Sequence, residues 1–114
     1  MEDRTVLCGA NAYTQKYYFN EAFSSLPESI KKELQIMCVW FVQEVGGILT
    51  MEFDEEGSLV FKTEANEYDG TIDEIGSVLK IKQFQTERQE LLESLELYYR
   101  VFYLGEEVEE TEGV

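Results

Sequence analysis

The chain contains no histidine, and 9 lysines and arginines stand against 24 aspartates and glutamates, for a formal net charge of −15 in 114 residues. Histidine, with an unperturbed pKa of about 6.5, is the side chain that most readily exchanges protons near neutral pH. Its absence removes the commonest general acid or base. The negative charge repels phosphates, nucleic acid and anionic lipid surfaces. The composition therefore counts against most acid–base catalysis and against direct binding to nucleic acid.

A long hydrophobic run is also missing. The longest, Ile36 to Val42, is far shorter than the roughly 20 residues that a membrane-spanning helix needs. The first residues carry acids where a secretory signal would carry bases. We therefore expect a cytoplasmic protein with no membrane association, in which Cys8 and Cys38 are reduced thiols.

Motifs that carry chemistry are absent as well. The sequence has no Gly-x-Gly-x-x-Gly, phosphate-binding loop, Gly-x-Ser-x-Gly or Cys-x-x-Cys. Residues 67–73 resemble the middle of a calcium-binding EF-hand loop, but with Gly70 at the turn the two end ligands would be Ala65 and Gly76 instead of acids. Cys38 is expected in the core, whereas the position of Cys8 before Gly9 is compatible with an exposed thiol. We predict no catalytic residues, no metal ligands, no cofactor and no enzymatic activity.

What the chain does contain is enough for one folded domain. Hydrophobic residues make up 44% of it and aromatic residues 13%, which can build a single core at this length. Residues 106–114 carry five acids and no base. We predict a single domain over 1–105 followed by a disordered acidic tail over 106–114.

The first half of the chain predicts strands and then a helix. Residues 5–20 are rich in β-formers and predict one or two strands. Ser25-Leu26-Pro27-Glu28 fits a capping box, with the serine hydroxyl accepting from a first-turn amide. An apolar face at helical spacing follows, widened by Ile36 and Trp40, and Gly46-Gly47 ends it.

The next segment predicts a β-hairpin whose register can be worked out. Leu49, Met51 and Phe53 alternate with polar residues, and a second alternating run starts at Leu59. Both apolar sets lie on one face only if Phe53 opposes Leu59. That register leaves Glu55-Glu56-Gly57 as a three-residue loop, in which the glycine supplies a positive φ.

The rest of the chain to Leu104 predicts helix, starting from a second capping box at 71–74. Two apolar stripes lie on nearly opposite sides, so we predict a kink or break within 76–82, with a short strand over 78–81 as the competing interpretation. The later stripe steps by three and four like a short coiled-coil seam. An ordinary amphipathic helix packed on its own sheet explains the same pattern. The residues of a candidate self-association interface are Phe84, Arg88, Leu91, Leu95, Tyr98 and Phe102.

Together these elements predict an α+β fold with two layers. A small antiparallel sheet, formed by the central β-hairpin plus one or two N-terminal strands, carries two main helices on one face, and the second helix is kinked or split.

Several segments together resemble a family of short, acidic, uncharacterised bacterial proteins. The segments are 7–13, 16–20, 46–50, 73–77, 90–96 and 98–106, which begin LeuCysGlyAla, LysTyrTyr, GlyGlyIle, AspGluIle, GluLeuLeu and TyrTyrArg. The resemblance implies a bacterial, cytosolic origin. It carries no activity, cofactor or site residue onto these positions.

The function expected from the residues is that of a non-enzymatic acidic protein–protein interaction domain, self-associating as a homodimer, with its partner and process unidentified. One alternative is an acidic decoy of nucleic acid, or a small chaperone for a basic partner, because both use strong negative charge. A second alternative is an enzyme or a divalent-metal-binding protein.

Overall fold

The computed structural model of the chain describes residues 4–66, 70 and 74–106. Most of the predicted acidic tail, the second capping box and much of the EF-hand-like stretch lie outside these residues. The elements, in chain order, are β1 (Thr5–Asn11), β2 (Lys16–Phe19), a 3-10 turn (Glu21–Phe23), α1 (Glu28–Val45), β3 (Ile48–Phe53), β4 (Leu59–Glu64), α2 (Glu74–Glu87) and α3 (Gln89–Phe102).

The four strands form one antiparallel sheet in the order β2-β1-β3-β4. The predicted α+β class is therefore confirmed, with two N-terminal strands and the helices on one face. The predicted hairpin register is also confirmed, since Phe53 pairs with Leu59 and Met51 with Phe61. Gly57 has a φ of 88°, as the predicted loop requires.

The strand β1 lies inside the sheet, between β2 and β3. A bulge interrupts its pairing with β3 between Val6 and Cys8, and Leu7 at the bulge is fully buried. Further along, Gly9 lies so close to β3 that a Cβ atom added to it would be 2.6 Å from the Leu49 carbonyl oxygen. The two central strands therefore depend on the missing side chain of Gly9.

Helix α1 covers β1 and β3 with one apolar face. The face consists of Leu34, Met37, Cys38, Phe41, Val42 and Val45. Gly46 ends the helix with a positive φ, as predicted. The predicted capping box is wrong, because the N-cap is Pro27 with no side-chain cap and the Ser25 hydroxyl bonds Tyr98 instead. Trp40 is 42% exposed rather than part of the buried face.

The last helical region is split at Arg88, which has a φ of −115° and a ψ of 28°. The predicted kink at 76–82 was misplaced and the competing strand was wrong, because both ranges are continuous helix within α2. In α2 the buried residues are Ser77 and Phe84. After the break at Arg88, α3 buries an inner stripe of its own, which consists of Leu92, Leu95 and Tyr99.

Lys80 ties α2 to α1. Its ammonium forms an ion pair with Glu44 and lies 4.2 Å above the centre of the Trp40 ring, a favourable cation–π geometry. The hydrogen bond from Lys80 holds the pKa of the Glu44 carboxyl below its ordinary value. The Trp40 ring is therefore in contact with Lys80 even though part of the ring is exposed to solvent.

The apolar residues that the fold buries form one cluster between the sheet and the helices. Leu49, Met51 and Phe53 point into it and have no exposed surface. Within the described residues, none of the helices is both long enough and apolar enough to cross a membrane.

Candidate functional site

Aromatic rings from three parts of the chain meet at the end of α3. Phe23 comes from the 3-10 turn, Phe53 from β3, and Tyr99 and Tyr103 from the last helix and its C-cap. Phe53 and Tyr99 stack with centroids 4.2 Å apart and an interplanar angle of 7°. Phe23 lies 4.9 Å from Tyr103. These stacked and tilted rings fasten α3 onto the end of the sheet.

Tyrosine hydroxyls at this site hold the N-terminal part of the chain. The Tyr98 hydroxyl shares a 2.8 Å hydrogen bond with Ser25, and Tyr99 shares one of the same length with Thr5. Tyr103 donates to the Ala22 carbonyl over 2.6 Å. Burial, and then the neighbouring tyrosines, raise the pKa of Tyr103, so its hydroxyl remains a donor at neutral pH. The ends of α3 and of the 3-10 turn are thereby fixed to each other.

The outer edge of this cluster faces solvent. We call Tyr98, Phe102, Tyr103 and Leu104 the aromatic rim. Phe102 is 70% exposed although its ring lies 4.8 Å from that of Tyr98, and Tyr103 and Leu104 are also exposed. An exposed group of large apolar side chains on an ordered scaffold is typical of a protein-binding surface.

The structure divides the six predicted interface residues between the core and the surface. Phe84 and Leu95 are buried within the chain's own core. Arg88 is exposed and paired with Glu33 over 3.2 Å. The half-buried Leu91 and Tyr98 and the exposed Phe102 remain available to a partner. A spacing of three and four could not separate these groups, because a core stripe and an interface seam have the same period.

The outer face of the sheet is a second open surface. Val6, Tyr18, Ile48 and Thr50 line a shallow depression of about 440 Å³ on it, and Tyr18 is 56% exposed. At one side Arg4 forms an ion pair of 3.0 Å with Glu52. The aromatic rim differs from this surface because the rim adjoins buried rings and tyrosine hydroxyls with defined partners.

Three sulfur atoms meet in the core, a feature that the sequence analysis missed. The distances are 3.7 Å between Cys8 Sγ and Cys38 Sγ, 3.8 Å from Cys8 to Met51 Sδ, and 3.6 Å from Cys38 to Met51 Sδ. All three side chains are essentially unexposed, so Cys8 is not a surface thiol. The pKa of Cys38 is raised, first by its hydrogen bond with Cys8 and then by burial.

Tyr17 places a hydroxyl near these sulfur atoms. Its oxygen is buried and lies beside the Cys8 thiol, without a hydrogen bond of ordinary geometry among the described residues. Burial raises the pKa of Tyr17, and the proximity of Cys8 and Cys38 raises it further. The same side chain lines a cleft of about 610 Å³ between the β1–β2 hairpin and α1, together with Ala10 and Val42.

The burial of the two thiols predicts that they are inert in the folded protein. An aromatic disulfide reagent should modify neither Cys8 nor Cys38 on the timescale on which it modifies a free thiol, because both side chains are fully buried and a reagent of this size cannot reach either sulfur. The measurement is the rate of colour release with and without denaturant. In denaturant both thiols should react as fast as a free thiol. A thiol that reacts fast in the native protein would contradict the packing described above.

Clusters of the usual metal-ligating residues do not occur in the described part of the chain. No three side chains of the cysteine, aspartate and glutamate types come close enough there to hold an ion. The cluster of Cys8, Cys38 and Met51 does not count among such groups, because its third member is the thioether of a methionine.

The fold and the rim define the class of this protein: a small α+β domain with an acidic surface and one anchored aromatic edge. A sequence model of a family of unknown function (DUF6145) matches residues 4–107, and the chain belongs to that family. The searches of curated proteins and of solved structures gave no match.

Proposed function

We propose that this chain is a non-enzymatic, acidic protein–protein interaction domain that self-associates through the aromatic rim. The observation that carries the proposal is the 70% exposure of Phe102 beside rings that are themselves ordered by buried contacts. A large apolar ring at such a position gains free energy when a partner covers it.

The scaffold under the rim keeps the entropic cost of association low. Tyr98 and Tyr103 are held by hydrogen bonds to Ser25 and to the Ala22 carbonyl, so few rotamers are lost when a partner binds. Preorganised aromatic side chains at the centre of a contact are typical hot spots. Leu91, on the same side of α3, extends the apolar contact along the helix.

Charge decides how salt should act on this association. Each chain carries a net charge of −15, so two copies repel each other at low ionic strength. Added salt screens that repulsion, and a rim-mediated homodimer therefore becomes stronger as salt rises. A complex with a basic partner has the opposite dependence.

The test is light scattering coupled to gel filtration at high micromolar concentration, in about 50 mM and about 500 mM salt, where the Debye length falls from over 10 Å to a few ångströms. The wild-type chain should contain more dimer at the higher salt. Phe102→Ala should be monomeric at both. The matched control is Leu79→Ala, which removes another exposed apolar side chain, 61% exposed, from α2 and should dimerise like the wild type. A strict monomer at both salt concentrations would exclude self-association.

A second candidate function is that of an acidic decoy or a small chaperone for a basic partner, and the net charge of −15 favours it. A labelled peptide rich in lysine and arginine should then bind at low salt and dissociate steeply as salt rises. Binding that depends on Phe102 would place the basic partner on the aromatic rim. The remaining alternative, a divalent-metal protein, would be supported by heat in calorimetric titrations with calcium, magnesium or zinc.

A further inference from the structure

The sulfur atoms of Cys8, Cys38 and Met51 form a nearly equilateral triangle with sides of 3.6 to 3.8 Å. They come from three different elements, β1, α1 and β3, so the fold and not local sequence brings them together. The centre of a triangle with 3.7 Å sides lies about 2.1 Å from each corner, since the side is divided by the square root of three. If each sulfur moved outward by about 0.2 Å, the distance from sulfur to centre would be about 2.3 Å. Zinc–thiolate bonds have this length, which here serves as the scale for a metal–thiolate bond.

The chemistry of the three donors selects a soft, monovalent ion. Thiolate and thioether sulfur together favour Cu(I) among biological metals, whereas zinc in a structural site takes four ligands and is held by thiolate, imidazole or carboxylate. Three sulfur donors in one plane complete a trigonal site with no need of a histidine, which the chain lacks. The surface carboxylates are hard donors and do not compete for such an ion.

The hydroxyl of Tyr17 is the second observation that points to a ligand. This buried oxygen makes no hydrogen bond of ordinary geometry within the described structure, and the Cys8 thiol beside it is only a weak partner. Its neighbours Cys8 and Cys38 would become strong acceptors once they lost their protons. The hydroxyl could then donate to a thiolate and support it in the way that outer partners support metal ligands.

An approach route exists on the same side of the molecule. The cleft of about 610 Å³ between the β1–β2 hairpin and α1 is lined by Tyr17, whose hydroxyl also lies near Cys8 and Cys38. A modest movement of the Tyr17 ring would open the triangle to an ion in the cleft.

We propose that Cys8, Cys38 and Met51 form a binding site for one Cu(I) ion. On binding, the two thiols release two protons to solvent and form copper–thiolate bonds, while the Met51 thioether donates a lone pair. The bound unit carries a charge of −1, and the Tyr17 hydroxyl donates a hydrogen bond to it. Copper keeps its oxidation state throughout, so no oxidant or reductant is consumed.

The experiment is an anaerobic titration of the full chain with Cu(I) itself, in competition with a chromogenic Cu(I) chelator. X-ray absorption then identifies the neighbours of the bound ion. One ion per chain with three sulfur neighbours is expected. Cys38→Ala should abolish binding at this site. Met51→Leu, which keeps the volume and removes the sulfur, should weaken it by about tenfold or more, at least the effect of losing an outer partner.

The matched control is Met37→Leu, since Met37 is a second buried methionine, on α1 and outside the triangle. It should bind Cu(I) as the wild type does. If Cys38→Ala does not fold, the test depends on two other results. These are the difference in Cu(I) affinity between Met51→Leu and Met37→Leu, and the number of sulfur neighbours of the bound ion. Oxygen or nitrogen neighbours, equal effects of the two methionine changes, or weak binding that survives in a folded Cys38→Ala variant would each show an adventitious ion only and overturn the proposal.

Discussion

Phe23→Ala is expected to lower the free energy of unfolding by about 3–5 kcal/mol. The Phe23 side chain has no exposed surface and lies against the rings of Phe53, Tyr98, Tyr99 and Tyr103. Truncation removes its buried apolar area and leaves a cavity that three rigid elements cannot close. The free energy of unfolding of a domain of this size is about 5–15 kcal/mol, so the substitution removes a large part of it.

Urea denaturation measures the effect as a lower midpoint with an unchanged slope. Phe102→Ala is the matched control at low micromolar concentration and low salt, where the proposed dimer is dissociated, because Phe102 is a phenylalanine of the same cluster but 70% exposed. It should change stability by no more than about 0.5 kcal/mol. If Phe23→Ala cost less than its exposed counterpart, the aromatic cluster would not be the fastening between α3 and the sheet.

Gly9→Ala is expected to destabilise the protein by about 1–3 kcal/mol, the range for overpacked interiors. The added Cβ would lie 2.6 Å from the Leu49 carbonyl oxygen and 3.4 Å from the Thr50 Cα atom. Both are backbone atoms of the paired strand, so relief requires the two central strands to move apart. Alanine usually gains about 0.5–1 kcal/mol over glycine in regular structure, and the clash reverses that gain.

Gly70→Ala serves as the control for this change. An added Cβ at Gly70 meets no atom of the described residues within 4 Å, so the substitution should be neutral or slightly stabilising. Thermal unfolding of both variants compares them directly. A Gly9→Ala variant as stable as the wild type would mean that β1 and β3 are farther apart than described.

The parts of the fold that follow from local chemistry could be predicted from the sequence. The hairpin at 48–64 was predicted in register because alternation and the Gly57 turn each fix the same pairing. The end of α1 at Gly46 was predicted for a similar reason, since a left-handed residue favours glycine.

Features that depend on distant contacts could not be predicted. The Ser25 hydroxyl had two partners open to it, a helix amide and the Tyr98 hydroxyl, and only the docking of α3 decides between them. The break between α2 and α3 lies at Arg88, whose backbone leaves the helical conformation. No glycine or proline marks that position in the sequence, so the usual signals of a kink are absent.

In the candidate sites, too, the sequence predicts what depends on local pattern and does not predict what depends on distant contacts. The aromatic excess of the last helix was visible in the sequence and includes Tyr98 and Phe102, but the pattern did not reveal that Phe84 and Leu95 lie in the core. The sulfur triangle joins residues as far apart as Cys8 and Met51. Only the strand order and register bring those two positions opposite each other.

That strand order has a consequence for synthesis. The strand over residues 5–11 pairs on one side with residues 16–19, which leave the ribosome soon after it, and on the other with residues 48–53, which leave much later. A nascent chain that ends within α1 therefore carries a hydrogen-bonding edge that no later strand has yet closed, and such edges invite pairing with other chains. The emergence of residue 53 allows that edge of β1 to be closed, and residues 59–64 then cover the free edge of β3.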